Sequence, residues 1–392
     1  MGASDFDTFV GPDKRKLPRL SDLGMVVVVL AGLVLIGMIV LWPTGEPDVD
    51  FDLIGFADDT AVAVVDTTEL GPCPFFPELE CSFVGMTVTD GDLDGEVVSL
   101  DFVNEPGQPN LNPGDRVFLS VVELSDGSLS FQYADRDRRT LIWIMAVVFA
   151  AAVIGLGRMK GVAALAGLGI SVAVLLFFIL PAIIRGEDAM LVALVGGGAI
   201  ALVSLYLAHG YNPLTHAAAL GTFAALILTV LLSWLAVTLA SFSGLTGGEV
   251  FYLTAIPGLD LSGLILAGIV LGTLGALDDV TVTQASAVWE VHSANPSLTT
   301  GELYSSGIRV GRDHIVSTTN TLLLAYAGAS LPLLILFSLS SQSFGVVASS
   351  EVIAVEIFRT LVGTLGLVAA VPITTWLAAR IAGRVAPEST AL

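Results

Sequence analysis

The chain has 392 residues, of which 54% are hydrophobic and 14% charged, with a mean hydropathy of +0.84. That balance leaves too little polar surface to cover a water-soluble globule, so the soluble classes are excluded and an integral membrane protein is expected. The formal net charge of −21, from 37 acidic against 16 basic residues, excludes nucleic acid as a partner.

A helix crosses a hydrocarbon layer of roughly 30 Å with about 20 mostly apolar residues. Eight stretches qualify, at approximately 24–42, 141–157, 161–184, 189–209, 216–240, 260–278, 314–339 and 352–378. The expected architecture is an α-helical polytopic membrane protein of about eight transmembrane helices. A small extracytoplasmic β-barrel-like domain of OB or SH3 size stands between the first two. The divisions are 1–45 for the amino-terminal tail and first helix, 46–139 for the β domain and 140–392 for a seven-helix membrane domain.

The first run, "GMVVVVLAGLVLIGMIVLW", is long for a signal peptide and lacks a small-x-small cleavage site, so it reads as a retained anchor. The acidic block follows. Between Glu46 and Asp137 stand 21 Asp and Glu against Arg116 and Arg136 alone, an excess of 21 − 2 = 19. A well-solvated acidic surface is the plain reading, and affinity for cations or a basic partner the alternative.

From Ala61 onward, apolar and polar residues alternate in segments divided by Gly, Asp, Asn and Pro, which predicts about five short strands. The only cysteines, Cys73 and Cys81, close "CPFFPELEC", and outside the cytoplasm they are expected to form a structural disulfide. In "DGDLDGEVVSLD", Asp90, Asp92, Asp94 and Asp101 follow calcium-loop spacing. Without flanking helices, the same stretch reads first as a hairpin around an Asp/Gly turn, with calcium as the alternative.

The sixth span ends in "LGALDDVTVTQ", where Asp278 and Asp279 stand side by side. An Asp at the bilayer centre costs about 2.5–3.5 kcal/mol, so the pair is expected at a hydrated inner mouth or at a break after which the chain folds back. Asp279, Thr283, Ser286 and Glu290 share one helical face. The seventh span opens with Asp313, Ser317 and Asn320 on one line and His314, Thr318 and Thr321 on the next. If the two polar stripes meet, they line a cavity in which the acidic pair shares a proton or holds a cation. The structural alternative is a helix cap, or pairing with Arg309 or Arg312. Gly268, Gly272 and Gly275 form a small-residue stripe suited to close helix packing, and Ser330 with Pro332 predicts a kink. His209 and His216 bracket one short loop and read as interfacial.

Positive residues set the orientation. Lys14 to Arg19 ("KRKLPR"), Arg158, Lys160, Arg309, Arg312, Arg380 and Arg384 fall on one side, while Arg116, Arg136, Arg138, Arg139 and Arg185 fall on the other. Both termini are therefore expected in the cytoplasm of a multi-pass cell-membrane protein, with the acidic block outside.

Three segments carry a family resemblance: "PGLDLSGLILAGIVLGTLGALDDVTVTQASAVWEV", "NPSLTTGELYSSGIRVGRDHIVSTTNTLLLAYAGASLPLLILF" and "GYNPLTHAAALGT". They resemble the YibE/F-like multi-spanning bacterial membrane proteins, and "GEVVSL…NPGDRVFLSV" is similar to that family's β-rich segment. An Asp-Val step follows the glycine-rich helix there, matched by Asp279 and Val280, with Asp278 an addition. The resemblance implies the fold, the membrane setting and a permease or efflux label without a substrate.

The expected function is thus a permease or efflux-type transporter, coupled to protons or cations through Asp278 and Asp279. Thr283, Ser286, Asp313, His314, Ser317, Asn320 and Thr321 would line its path. The expected partners are the lipid bilayer, a solute of unknown identity, H+ or a cation, and a second copy or an extracytoplasmic protein. A membrane-anchored scaffold or assembly protein is the second class. An enzyme is not expected: an intramembrane aspartyl protease would draw on Asp279 and Asp313, but its Tyr-Asp and Gly-x-Gly-Asp contexts are missing. No cofactor is read from the sequence.

Overall fold

The computed structural model describes residues 22–45, 59–124, 127–246 and 250–383. The basic segment "KRKLPR", Arg384 and the start of the acidic block lie outside them. The chain divides into two compact units, Val49–Arg158 and the remainder.

In the first unit, five strands form one antiparallel sheet: β1 (Asp59–Pro72), β2 (Glu80–Val88), β3 (Val97–Val103), β4 (Arg116–Glu123) and β5 (Leu129–Arg136), in the order β3-β2-β1-β4-β5. β1 is long enough to serve two partners. Its first residues pair with β4 and its later ones with β2, and a bulge between Val65 and Thr67 bends it where the partners change. Alternation puts Ala63, Val65, Val84, Met86, Val117 and Leu119 on one face, each at most 1% exposed. The sheet curls into a half-barrel whose outermost strands meet through Phe102 and Tyr133, edge to face at 5.8 Å.

Cys73 and Cys81 are disulfide-bonded at the end of the β1–β2 pairing, where Cys81 itself pairs with Gly71. The Asp-rich stretch is a hairpin: β2 and β3 pair from Thr87 with Val97 onward, and a short 3-10 turn, Gly91–Leu93, joins them. Asp90 accepts from the Val62 amide at 2.7 Å, which ties the turn to β1. Among the described residues no three His, Cys, Asp or Glu side chains converge as a metal site.

Helix α2 (Arg139–Val174) starts against the sheet. Arg139 grips Asp137 with both Nε and Nη2, at 2.9 and 2.8 Å, and its guanidinium lies 4.8 Å from the Phe118 ring centroid. Arg138 pairs with Asp135 at 2.7 Å, so both arginines at the start of the helix are locally matched. The helix breaks at Arg158, whose φ of 52° and ψ of −129° are not helical.

The second unit is helical. It holds α1 (Asp22–Val40), the end of α2, a π-turn (Leu175–Ile179), α3 (Leu180–Ile184), α4 (Ala189–His209) and α5 (Pro213–Ala240). There follow α6 (Val250–Leu253), α7 (Leu261–Ala294), α8 (Thr300–Ala329), α9 (Leu331–Ser338), α10 (Phe344–Ser349) and α11 (Glu351–Ala382). Pro181 offers no amide to the preceding turn, and the bonding widens to the π pattern just before it. Among the described residues five helices, with the run from α2 through α3 counted as one, are long and apolar enough to cross a membrane, or six when α8 and α9 count as one span bent by 70°. That bend lies at Ser330 and Pro332, where the kink is expected. Large apolar side chains such as Ile39, Leu239 and Leu361 are more than half exposed, a surface fitted to lipid rather than water. The chain is a multi-pass helical membrane protein.

The centre of the bundle is α5, α7 and α11, each packed on the other two. Hydroxyls seat against glycines there. A Cβ on Gly221 would collide with Thr374, one on Gly366 with Thr229, and one on Gly363 with Thr273 at 2.8 Å. Such small-residue seats allow helix axes to approach closely without a water-driven hydrophobic effect. The three consecutive glycines of α4 serve three neighbours: Gly196 faces Ile179, Gly197 faces Leu226 and Leu274, and Gly198 faces Phe223 and Val34.

Candidate functional site

Helix α4 is set at its start by Asp188, whose side chain accepts from Leu191 N at 2.9 Å, and ends at Gly210, whose φ of 73° suits glycine. Asn212 then caps α5 through Thr215 N at 2.9 Å, with Pro213 as the first helical residue. The tight turn makes α4 and α5 antiparallel neighbours. His216 is held there by the Tyr206 hydroxyl, with 2.7 Å between the hydroxyl oxygen and Nδ1, and by the Tyr211 ring, 4.5 Å between centroids.

Helix α7 runs unbroken for 34 residues, so the chain does not fold back after the aspartates. Leu261 to Leu277 carry no charge, and Asp278 is the first charged residue after them. Successive residues on a helix point about 100° apart. The two carboxylates accordingly meet different surroundings. Asp278 turns toward α4, where Ser204 donates to Oδ2 at 2.8 Å, while Oδ1 is buried with no partner among the described residues. Asp279 keeps 71% of its side chain exposed, with His314 Nε2 at 3.9 Å. Behind Asp278, the Thr281 hydroxyl donates to its backbone carbonyl at 3.1 Å and hydrogen-bonds with Thr222 across 2.7 Å.

Both aspartates line a cavity of about 660 Å³ between the end of α2, α4 and α7. Its walls are mainly apolar, among them Leu168, Val172, Leu175 and Leu271. Asp278, Asp279, Thr283 and His209 share one end, and the Ser171 hydroxyl on the apolar wall bonds Gly167 O of its own helix. No Lys or Arg is among the described residues that line it. The cavity therefore reaches from the apolar middle of the bundle to the edge of its uncharged layer.

The other residues singled out by sequence lie elsewhere. Ser286 is partly buried one turn beyond Thr283. Asp313, Ser317, Asn320 and Thr321 sit on the exposed face of α8, and His314 is partly buried beside Asp279; none of the six lines the cavity. The reason is the packing of α8, whose buried side is Leu303, Gly307, Gly311 and Leu322. Gly307 and Gly311 fit against Gln284, Thr375 and Val371, so the hydrophilic stripe turns outward. Arg309 approaches Ser306 at 3.1 Å rather than either aspartate.

Two sets of polar residues escaped sequence reasoning. Gln284 Nε2 donates to Gly307 O and to Thr375 Oγ1, both at 2.7 Å, which joins α7, α8 and α11. In α11, Arg359 pairs with Glu356 at 3.1 Å and its guanidinium lies 5.9 Å from the Tyr326 ring centroid. The readable signal was opposite charge three residues apart inside an apolar run. Gly268 and Gly272 make room for this cluster. A Cβ on Gly268 would lie 3.5 Å from Arg359 Nη2, and one on Gly272 would lie 2.7 Å from the Tyr326 hydroxyl.

Residues 145–384 match the family of YibE/F-like proteins, and the chain belongs to it. Compared with curated proteins and with solved structures, the chain matches none.

Proposed function

We propose that this YibE/F-like protein is a membrane permease or efflux-type transporter, not an enzyme, and that it couples solute movement to protons or cations through Asp278 and Asp279. The observation that carries the reading is the unpartnered Oδ1 of Asp278, buried beside a cavity of about 660 Å³. A buried carboxylate oxygen without a donor is costly, and a proton or cation arriving by way of the cavity relieves that cost. Occupancy of Asp278 thereby becomes linked to what enters the cavity.

The reading takes the chain to cross the cell membrane eight times. The crossings are α1, the two parts of α2 separated at Arg158, α4, α5, α7, the bent α8–α9 pair and α11, with α3 completing the second part of α2. Both termini then lie in the cytoplasm and the acidic half-barrel, taken as an OB-like domain, lies outside. The test is the full chain in liposomes that enclose a pH-sensitive dye, challenged with a panel of inorganic and organic cations. Cation-driven proton movement that Asp278→Asn abolishes supports the proposal. Exchange at the unsubstituted rate in both Asp278→Asn and Asp279→Asn overturns it.

A scaffold or assembly role through the β domain is the second reading. It draws on a depression of about 710 Å³ at the sheet rim, bordered by Asn104, Gln108, Asn110 and Asn112. Crosslinking in cells separates the two, because a scaffold keeps its partner when both aspartates are neutralised and loses it when the half-barrel is removed.

A further inference from the structure

We infer that the cavity takes an amphipathic organic cation, its charged head at Asp279 and Asp278 and its apolar body along Leu168, Val172, Leu175 and Leu271. The inference rests on the transport reading and names the chemistry of what is carried.

Size is the first argument. A bare ion is held by a tight shell of oxygens, whereas a space of about 660 Å³ falls within the range of roughly 300–1,000 Å³ that encloses small organic molecules. The second is the distribution of polarity. Wall residues toward mid-bundle are mainly Leu, Val and Ile, with the Ser171 hydroxyl already spent on Gly167 O of its own helix, and the two carboxylates stand together at the other end. A ligand polar throughout would lose hydration along those walls, and one wholly apolar would leave the carboxylates unanswered.

Charge is the third argument. With two carboxylates and no Lys or Arg among the described lining residues, an anion meets only repulsion there. His209 lines the cavity and His314 lies 3.9 Å from Asp279, while the other titratable groups nearby, Tyr206 on α4 and Arg309, Arg312 and Asp313 on α8, do not line it. The fourth is depth. Asp278 follows a charge-free run of α7, so the acidic end sits at the boundary between apolar and aqueous layers. An amphipathic cation lies in a bilayer with that same polarity, its head at the boundary and its body inward.

The experiment uses the purified full chain in detergent. Its probes are the cation 4-phenylbutyltrimethylammonium, the anion 5-phenylpentanoate and the neutral 5-phenylpentan-1-ol, which share an apolar body and differ in the head. Saturable binding of the cation, with Asp279→Asn weakening it by about tenfold and Asp279→Glu restoring it, is expected. Asp279 is exposed, so these exchanges leave the packing alone. Val172→Trp, which fills the apolar wall, should abolish binding, while Leu365→Trp on the far, lipid-facing surface should not. Equal binding of the anion or the neutral analogue, or cation binding indifferent to both Asp279→Asn and Val172→Trp, overturns the inference. Cation binding without flux in liposomes upholds it and removes the transport reading instead. Asp279-dependent flux of a neutral or anionic solute without cation binding removes this inference alone.

Discussion

The Ser204 hydroxyl donates to Asp278 Oδ2 across 2.8 Å and so joins α4 to α7, between residues 74 positions apart. Ser204→Ala removes the 2.8 Å donor from a largely enclosed carboxyl. A loss of about 1–3 kcal/mol is expected, read as a lower midpoint of thermal unfolding in detergent. In a double-mutant cycle with Asp278→Asn the two losses should be non-additive, and strict additivity would show that the bond contributes nothing.

Gly221 seats Thr374, and a methyl group at that position meets the threonine head-on. Gly221→Ala should therefore destabilise the bundle by about 1–3 kcal/mol, the usual penalty for overpacking. Adding Thr374→Ala vacates the seat and should recover most of the loss. A single variant as stable as the unsubstituted chain would count against the close α5–α11 contact.

The Glu356–Arg359 pair, each side chain about a quarter exposed, invites a comparison of one deletion with two. Glu356→Leu strands a guanidinium against Tyr326 and Gly268 and should cost about 1–3 kcal/mol, less than a fully buried pair would. Glu356→Leu with Arg359→Met removes both charges and should be nearer neutral. Unfolding midpoints in detergent decide, and a double variant worse than the single would mean that the pair is not the source of the cost.

Asp137 answers to acid. The hydrogen bond from Arg139, with help from the Arg139 amide and from Arg116, lowers its carboxyl from the ordinary value near 3.8 to about 2. Between those values the unfolded chain binds the proton and the folded one does not, so folded stability rises with pH there. The contribution is complete above about 3.9 and disappears as pH falls through the folded value. Hydrogen-exchange protection of β4 and β5 should decline over this window in the unsubstituted protein. In Asp137→Asn that part of the decline should be missing.

Cys73 and Cys81 close a loop that ends the β1–β2 pairing. Loop entropy gives the crosslink about 2.5 kcal/mol. Reduction should therefore speed cleavage after Glu78 by a glutamate-specific protease, while sites in the helical unit keep their rates. Unchanged cleavage at Glu78 would show that the strand ends are held by other contacts.

Apolar length and period two made the helices and the half-barrel legible, because both patterns record which side of an element avoids water. The kink at Ser330 and Pro332 was legible for a local reason, a missing backbone donor. Neighbourhood was not. The stripe Asp313, Ser317 and Asn320 is a true helical face, but its direction is decided by Gly307 and Gly311, whose fit depends on the distant Gln284 and Thr375. Nor does any run of residues announce that Ser204 and the end of α2 complete the surroundings of Asp278. A long-range contact leaves no period in a single chain.

At about 1.5 Å per residue, the 34 residues of α7 extend roughly 51 Å, some 20 Å more than a hydrocarbon layer requires. Its surplus turns and the opening of α8 continue past the uncharged run and stay packed on α5 and α11 through Val288, Leu303 and Ala378, fastened by the Gln284 bonds. Glu290, Arg309 and Asp313 lie exposed on that extension, whereas His292 Nδ1 is buried there without a partner among the described residues. Because α7 is one unbroken helix, any tilt of this extension is carried along the same rod to the turn that bears Asp278 and Asp279.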